Sequence, residues 1–393
     1  MFTLISKFAF WLCTSLIAYT YFVYPIFLFA AYAWSQIRRD WKYLKSRGDR
    51  RCPRPEAQEL PLITMVVPAH NEEKHLPEKL ANLQQLDYPL EKLELIFVSD
   101  GSTDGTNRIL KDVTIPNVRT IFLQERHGKP LALNQAVAAA RHDVLVFSDA
   151  ATLFAPDALQ KLTRHFRRSN VGAVCGALKF RGTAESQQTE GVYWGYESML
   201  RLMESRMGAT LTASGAIYAL RRECYRPLPA DSVIEDFVIP MNARKLGYRV
   251  LYDPEAVGIE FAAESIKGEF RRRVRLAIGS FRNLPSFLRV PLPRFTRIAF
   301  FSHKVLRWMV PFLLIGVLLS NAFLLGELPY RITAVSQLLF YVWAALGLVL
   351  HQKMQKLRFG LVGYFLLAMN LAFLVGFIRF LSGKREATWE RVG

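Results

Sequence analysis

Cysteine is scarce in this chain. Four stand among 393 residues (Cys13, Cys52, Cys175 and Cys224), and their spacing is neither paired nor metal-like. That excludes a disulfide scaffold. The thiols read as ordinary small residues of a reducing compartment, with Cys13 inside an apolar run. Charge is also sparse, at 21% of residues against 51% hydrophobic, which excludes an intrinsically disordered chain. Glycine, at 23, is far below a collagen-like proportion, and no internal repeat or low-complexity segment is present. Acidic residues are the minority sign: 33 Asp and Glu against 51 Lys and Arg leave a formal net charge of +18. Such an excess can mark a nucleic-acid binder, but here it clusters beside long apolar runs, so nucleic acid is the weaker reading.

The apolar residues are unevenly placed. Phe10 to Trp34 is 25 residues without a charge, enough to span a bilayer. It exceeds the apolar core of a signal peptide, and no small-residue cleavage site follows. Arg38, Arg39, Lys42, Lys45, Arg47, Arg50, Arg51 and Arg54 come next, set against Asp40 and Asp49. Basic clusters beside a span mark the cytoplasmic side, so Met1 is expected outside and the chain from about residue 38 inside. Val305–Leu325, Ile332–Leu350 and Phe359–Leu381 are further spans, with Lys353, Lys356 and Arg358 suggesting a cytoplasmic loop. Three crossings put the tail outside, whereas its Lys384, Arg385 and Arg391 argue for inside. Phe287–Phe301 is amphipathic and is expected in the membrane interface.

Between these segments, Ile63–Pro68, Leu93–Val98, Val118–Leu123 and Val144–Phe147 read as short buried strands. Glu72–Gln85 and Pro130–Ala140 have helical spacing between them. The alternation predicts an α/β domain with a mostly parallel sheet, helices on both faces, and ligands beyond the carboxyl ends of the strands. Those ends carry Ala69-His70-Asn71-Glu72, Ser99 to Gly105, and Ser148-Asp149-Ala150-Ala151-Thr152, with Arg126-His127-Gly128-Lys129 between the last two. Taken singly, Asp104 reads as a helix cap and His70 or His127 as a surface residue.

Together with Val67–Glu72, Val98–Thr106, Gly128–Asn134 and Phe147–Asp149, the runs Ser214–Ile217, Glu235-Asp236 and Arg271–Arg275 complete an ordered set of motifs. In this order and spacing the chain resembles membrane-embedded family 2 glycosyltransferases with a GT-A domain, related to bacterial cellulose, poly-N-acetylglucosamine and hyaluronan synthases. The resemblance covers nearly the whole chain. It implies an N-terminal span at 1–37, a basic cytoplasmic linker at 38–59, a GT-A domain at 60–286, an interface segment at 287–304, about three spans at 305–381, and a tail at 382–393.

The resemblance also implies roles. Glu72 and Asp100 hydrogen-bond a uridine, Pro68 to His70 lie against its base or ribose, and Lys129 brings positive charge near the nucleotide. Asp149 is the first acid of an Asp-x-Asp motif and binds Mg²⁺ or Mn²⁺. Ala151 replaces the second acid, which puts strict metal dependence in question. Arg272–Leu276 aligns with a Gln-x-x-Arg-Trp motif, with Arg275 suited to a diphosphate and Arg272 and Gly215 beside the diphosphate and acceptor. Arg271 and Arg273 read as surface or headgroup residues. Leu276 replaces the sugar-stacking Trp, which argues against long-chain processivity. Asp236 is the general base with Glu235 supporting it; the bland alternative is a helix cap. Glu190–Met207, with Tyr193, Trp194 and Tyr196, reads as core packing, and Trp389 resembles the family's tail Trp.

The expected function is inverting transfer of a hexose or N-acetylhexosamine, from a nucleotide sugar (UDP above others) to a saccharide or lipid-linked acceptor. The setting is the cytoplasmic face of a bacterial inner membrane, in surface polysaccharide synthesis, with other proteins of that synthesis expected as partners. Alternatives are a processive synthase that exports its polymer and an inactive scaffold of a synthase complex.

Overall fold

The computed structural model of the protein describes residues 1–46, 60–181, 184–261, 266–350 and 361–383. Arg47, Arg50, Arg51, Arg54 and Cys52, the basic loop Lys353–Arg358, and Lys384, Arg385, Trp389 and Arg391 lie outside the described residues, as do the side chains of Tyr193 and Trp194.

Four apolar strands ending in polar turns form as the sequence predicts: β1 (Ile63–Ala69), β2 (Leu93–Asp100), β3 (Val118–Leu123) and β4 (Val144–Ser148). They continue into β5 (Leu153–Phe154), β6 (Val171–Arg181), β7 (Ile217–Arg221) and β8 (Arg249–Phe261). The sheet order is β3-β2-β1-β4-β7-β6-β8-β5. Strands β3, β2, β1 and β4 are parallel, as expected, but β7 runs antiparallel to both β4 and β6, and β5 antiparallel to β8. Strands β6 and β8 pair in parallel and run with the first four, so six of these eight strands share one direction: the sheet is mixed yet mostly parallel, as expected. The reversal at β7 matters: Ser148, at the end of β4, pairs with Ile217, at the start of β7. The loop before β7 is thus delivered to the carboxyl end of the parallel half.

Both faces of the sheet are covered, which is why its central strands are apolar throughout rather than alternating. Met65, Val67, Leu95 and Phe97 pack on one side with Leu76 and Leu83 of α3 (Leu76–Gln84). Val66, Ile96 and Val98 pack on the other with Ala132, Leu133 and Ala136 of α5 (Lys129–Ala139). Helix α4 (Thr106–Lys111) lies between these two in sequence, and α6 (Ala158–Thr163) follows β5. Two further helices complete the domain, α7 (Ala184–Arg206) and α8 (Glu235–Lys245). An arginine-rich helix, α9 (Ile266–Leu288), leads out of it.

Among the described residues, four helical stretches are long and apolar enough to cross a membrane: Phe2–Lys45, Arg294–Ala322, Leu328–Val349 and Val362–Leu381. The first joins α1 (Phe2–Ala18) through a π-turn, Tyr19–Val23, to α2 (Tyr24–Ser46). Arg38 to Lys45 therefore extend this helix rather than beginning a linker. The second joins α10 (Arg294–Ala299) through another π-turn, Phe300–Val305, to α11 (Leu306–Ala322). The others are α12 (Leu328–Val349) and α13 (Val362–Leu381). The segment expected in the interface is divided: Phe287, Val290 and Leu292 are buried with Phe237 and Trp308, while Arg294 onward belongs to the second apolar stretch. Aromatic and aliphatic side chains on one stripe found protein to cover them before lipid.

Candidate active site

The loops after β1 and β2 lock together. Asn71 takes a left-handed conformation (φ 55°), and its Oδ1 accepts the Thr103 N–H at 2.8 Å. Glu73 accepts from Gly105 N–H at 2.9 Å, and Asp104 accepts from Thr106 and Glu73 N–H at 3.0 and 3.1 Å. Burial pushes the Asp104 carboxyl up, but these bonds bring it below its ordinary value. Asp104 thus fastens the start of α4, the cap-like role expected of it.

Asp100 serves the fold as well as any ligand. It is buried, and its two oxygens accept the His127 and Gly128 N–H groups, each at 2.7 Å. Gly101 has φ 59°, and a Cβ there would stand 2.5 Å from Arg126 N, so only glycine allows the two loops to meet. His70 Nδ1 donates to the Asp100 carbonyl at 2.6 Å. Pro68 is buried opposite Val98, and Glu72 is buried, its N–H donating to Thr106 Oγ1 at 2.8 Å. These five residues line one rim beyond the carboxyl ends of β1 and β2.

Lys129 opens α5 and joins that rim to the rest. Its Nζ lies 2.6 Å from Asp149 Oδ1 and 3.1 Å from Glu235 Oε1. Burial alone lowers a lysine pKa, but Asp149 and Glu235 more than offset it and hold the ammonium protonated. Gly215 sits in the same knot: a Cβ there would be 3.6 Å from Asp236 Cβ and 3.7 Å from Lys129 Nζ. A side chain of any size would fill the space between the lysine and the dyad.

Glu235 and Asp236 occupy the first turn of α8, where the helix dipole favours negative charge. The residue capping that helix is Ile234, and no side-chain cap bond is made. Asp236 therefore does not act as the cap. Burial and the neighbouring Glu235 raise its pKa to about 6, against the lowering effect of Lys129, Arg201 and Arg272. Arg275 Nε is buried without a hydrogen-bond partner among the described residues. Burial holds the Arg275 pKa below its ordinary value, partly opposed by Glu235, Asp236 and Asp149. Arg272 and Arg273 both pair with Glu269, at 2.9 and 2.7 Å. Arg273 is accordingly not a surface residue, whereas Arg271 is exposed.

The description "Glycosyl transferase family 2" matches residues 64–227. These residues are similar to that family's domain. Across 237 residues the chain is 29% identical to poly-beta-1,6-N-acetyl-D-glucosamine synthase of Staphylococcus aureus, covering 58% of this chain and 56% of that protein. The synthase of the same name from Staphylococcus epidermidis is 26% identical over 233 residues, covering 57% and 56%. The chain thus spans little more than half the length of these curated relatives. A mannosyltransferase from Pyrobaculum calidifontis, solved with GDP-Man and Mn²⁺, superimposes with a TM-score of 0.67 over 94% of this chain and 99% of that one, at 24% identity. This is the GT-A architecture, with apolar helices on both sides of the glycosyl transferase domain.

GT-A enzymes commonly use a divalent cation, and the residues here permit one only on restricted terms. Among the described residues no group of three or more His, Cys, Asp or Glu side chains converges. Ala151 is buried, and Asp149 already holds an ammonium. Mg²⁺ accepts one or two carboxylates completed by phosphate oxygens and water. The set therefore fits a cation only if most of its ligands come from outside the protein.

Sequence reasoning missed Lys79, Arg201 and Glu269. Lys79 follows Leu76 by three residues and precedes Leu83 by four, so the helical period that marked the leucines also turned it inward. Glu269 stands three and four residues before Arg272 and Arg273, a helical spacing that the sequence did carry, whereas the action of Arg201 on Asp236 joins distant segments.

Proposed function

We propose that the protein is an inverting glycosyltransferase that moves a hexose or N-acetylhexosamine from a UDP-sugar to a saccharide or lipid-linked acceptor, at the cytoplasmic membrane face, in surface polysaccharide synthesis. One observation carries the reading: Lys129 bridges Asp149 and Glu235, so the nucleotide rim and the acidic dyad form one site. In this reading the acceptor hydroxyl attacks the anomeric carbon while Asp236 takes its proton. The pKa near 6 leaves that carboxylate mostly ionised at neutral pH yet more basic than an ordinary aspartate. Arg275 and Lys129 meet the charge that grows on the departing diphosphate, where fixed cations in a water-poor site act strongly. When bound, a divalent ion held by Asp149 and the phosphates would add Lewis-acid stabilisation of the leaving group.

The membrane setting is consistent with this. Lys7 pairs with Glu327 at 2.6 Å, and Trp11 donates to Tyr330 at 3.2 Å. The beginning of the first apolar helix and the turn between α11 and α12 thus share one end, as an outside N-terminus with the domain inside requires. Leu276 packs on the apolar cluster of Phe237, Phe281 and Trp308 and offers no stacking face, which favours short transfers over a processive polymer.

The test is turnover by full-length protein in lipid nanodiscs with a panel of UDP- and GDP-sugars, reading released nucleotide and product size. Nucleotide release with one donor class and short products is expected. Absence of release with every donor and acceptor offered overturns the reading in favour of a scaffold, and long polymer overturns the short-transfer part.

A further inference from the structure

Lys79 is a charged side chain in a place where charge is costly. It lies on α3, and its side chain has no exposure to solvent. Its Nζ donates to Ser148 Oγ at 2.7 Å and to the Thr152 carbonyl at 2.5 Å, and stands 4.8 Å from the centre of the Phe154 ring. These partners are neutral. Asp149 and Glu260 act on its charge only at longer range. An ammonium held this way is poorly repaid for lost hydration, and burial brings its pKa down to about 7. A methionine, one heavy atom shorter, would fill most of the same space with no charge to desolvate.

The position explains what the charge is for. Ser148 and Thr152 bracket Asp149, Ala150 and Ala151, the turn that carries the acid facing Lys129. Ser148 Oγ, besides accepting from Lys79, donates to the Asp149 carbonyl at 3.1 Å. Thr152 N–H closes the turn on the same carbonyl, also at 3.1 Å. With alanine at 151 the turn has no second acid through which a cation above it could fix its shape. It is instead gripped from below.

Resting on the donor-site reading above, we propose that Lys79 is a positioning residue: it holds the Ser148–Thr152 turn in the shape that presents Asp149 to Lys129 and to the donor diphosphate. It touches neither the sugar nor the phosphates. Its loss therefore weakens donor binding and leaves the chemical step largely intact, and the buried charge is kept at the expense of stability.

The experiment compares full-length wild type, Lys79→Met, Ser148→Ala and Asp149→Ala in nanodiscs. UDP is titrated calorimetrically, with GDP in parallel, alongside steady-state kinetics and melting temperatures. Lys79→Met should bind nucleotide about tenfold more weakly and raise the donor KM by a similar factor, with kcat within about twofold. Its melting temperature should be equal or higher. Unchanged nucleotide affinity, or a lower melting temperature with the loss confined to kcat, overturns the proposal and makes Lys79 a structural residue. Should Lys79→Met fail to fold, Ser148→Ala decides: about threefold weaker nucleotide binding supports the proposal, and unchanged binding overturns it. Asp149→Ala separates the two levels. If it abolishes UDP binding while Lys79→Met leaves the affinity unchanged, only the Lys79 role falls. If it binds UDP normally, the donor-site reading falls and takes the Lys79 role with it.

Discussion

Asp236 is where charge, burial and helix position meet. Its pKa, raised from 3.8 to about 6, means that it carries a proton below that pH and accepts one above it. Transfer should therefore be lost as pH falls through about 6 and be present above it, visible as the acidic limb of kcat/KM against pH. Arg201 opposes protonation of Asp236, so Arg201→Met should move that limb to higher pH, whereas a purely structural arginine would leave it in place. Asp236→Asn should keep the fold and the nucleotide affinity while losing transfer by roughly 10²–10⁴-fold. Near-normal transfer by that variant would remove Asp236 from the mechanism.

Three helical elements meet at a buried ionic cluster where the apolar helices join the domain. Glu204 of α7 accepts from Tyr24 Oη of α2 at 2.8 Å, and lies 2.7 Å from His303 Nδ1 in the second π-turn. Glu197, two turns earlier on the same face of α7, pairs with Arg307 at 2.6 Å, His303 at 3.2 Å and Lys304 at 3.4 Å. The two π-turns touch directly, through Tyr19 Oη and Ser302 Oγ at 2.8 Å. The widened turns bring these polar groups to the helix junction, a frequent use of π-geometry. Burial acts to raise the Glu197 pKa, but His303, Lys304 and Arg307 outweigh it and hold the carboxyl well below 4.5. Its share of stability is thus present above pH 4.5 and is lost as the pH falls further. Glu197→Gln leaves Lys304 and Arg307 without that carboxylate and should cost about 3–5 kcal/mol. Chemical denaturation in detergent would measure it, and a loss under about 1 kcal/mol would show the cluster to be loosely held.

For the molecule as a whole, Lys7 and Glu327 share one end of the apolar helices and the basic run from Arg38 begins toward the other, the end that the proposed reading puts in the cytoplasm. A reporter fused after residue 60 should behave as cytoplasmic; periplasmic behaviour would invert the topology. Activity should require Mg²⁺ or Mn²⁺ and be lost on chelation, because Asp149 and Glu235 already balance Lys129 and leave diphosphate charge for a cation to meet. Full activity in excess chelator would assign that charge to Lys129 and Arg275 alone.

Much of this was determined by sequence alone, for local reasons. Strands such as Ile63–Ala69 are apolar runs stopped by polar turns, and the residues at their ends must collect at one edge of a parallel sheet. That is why Glu72, Asp100, Lys129 and Asp149 were legible before any coordinates. Apolar length did the same for the helices, though not for their exits: Arg38–Lys45 stay helical because a helix does not end where its hydrophobicity does. Only the tertiary structure could decide the rest. The antiparallel return of β7 sets Gly215 against Lys129 and Asp236, and pairing between distant strands leaves no period in the sequence. Nor does composition reveal that one lysine of an ordinary amphipathic helix is sealed beneath the Asp149 turn, because a side chain's burial depends on what the sheet brings to cover it.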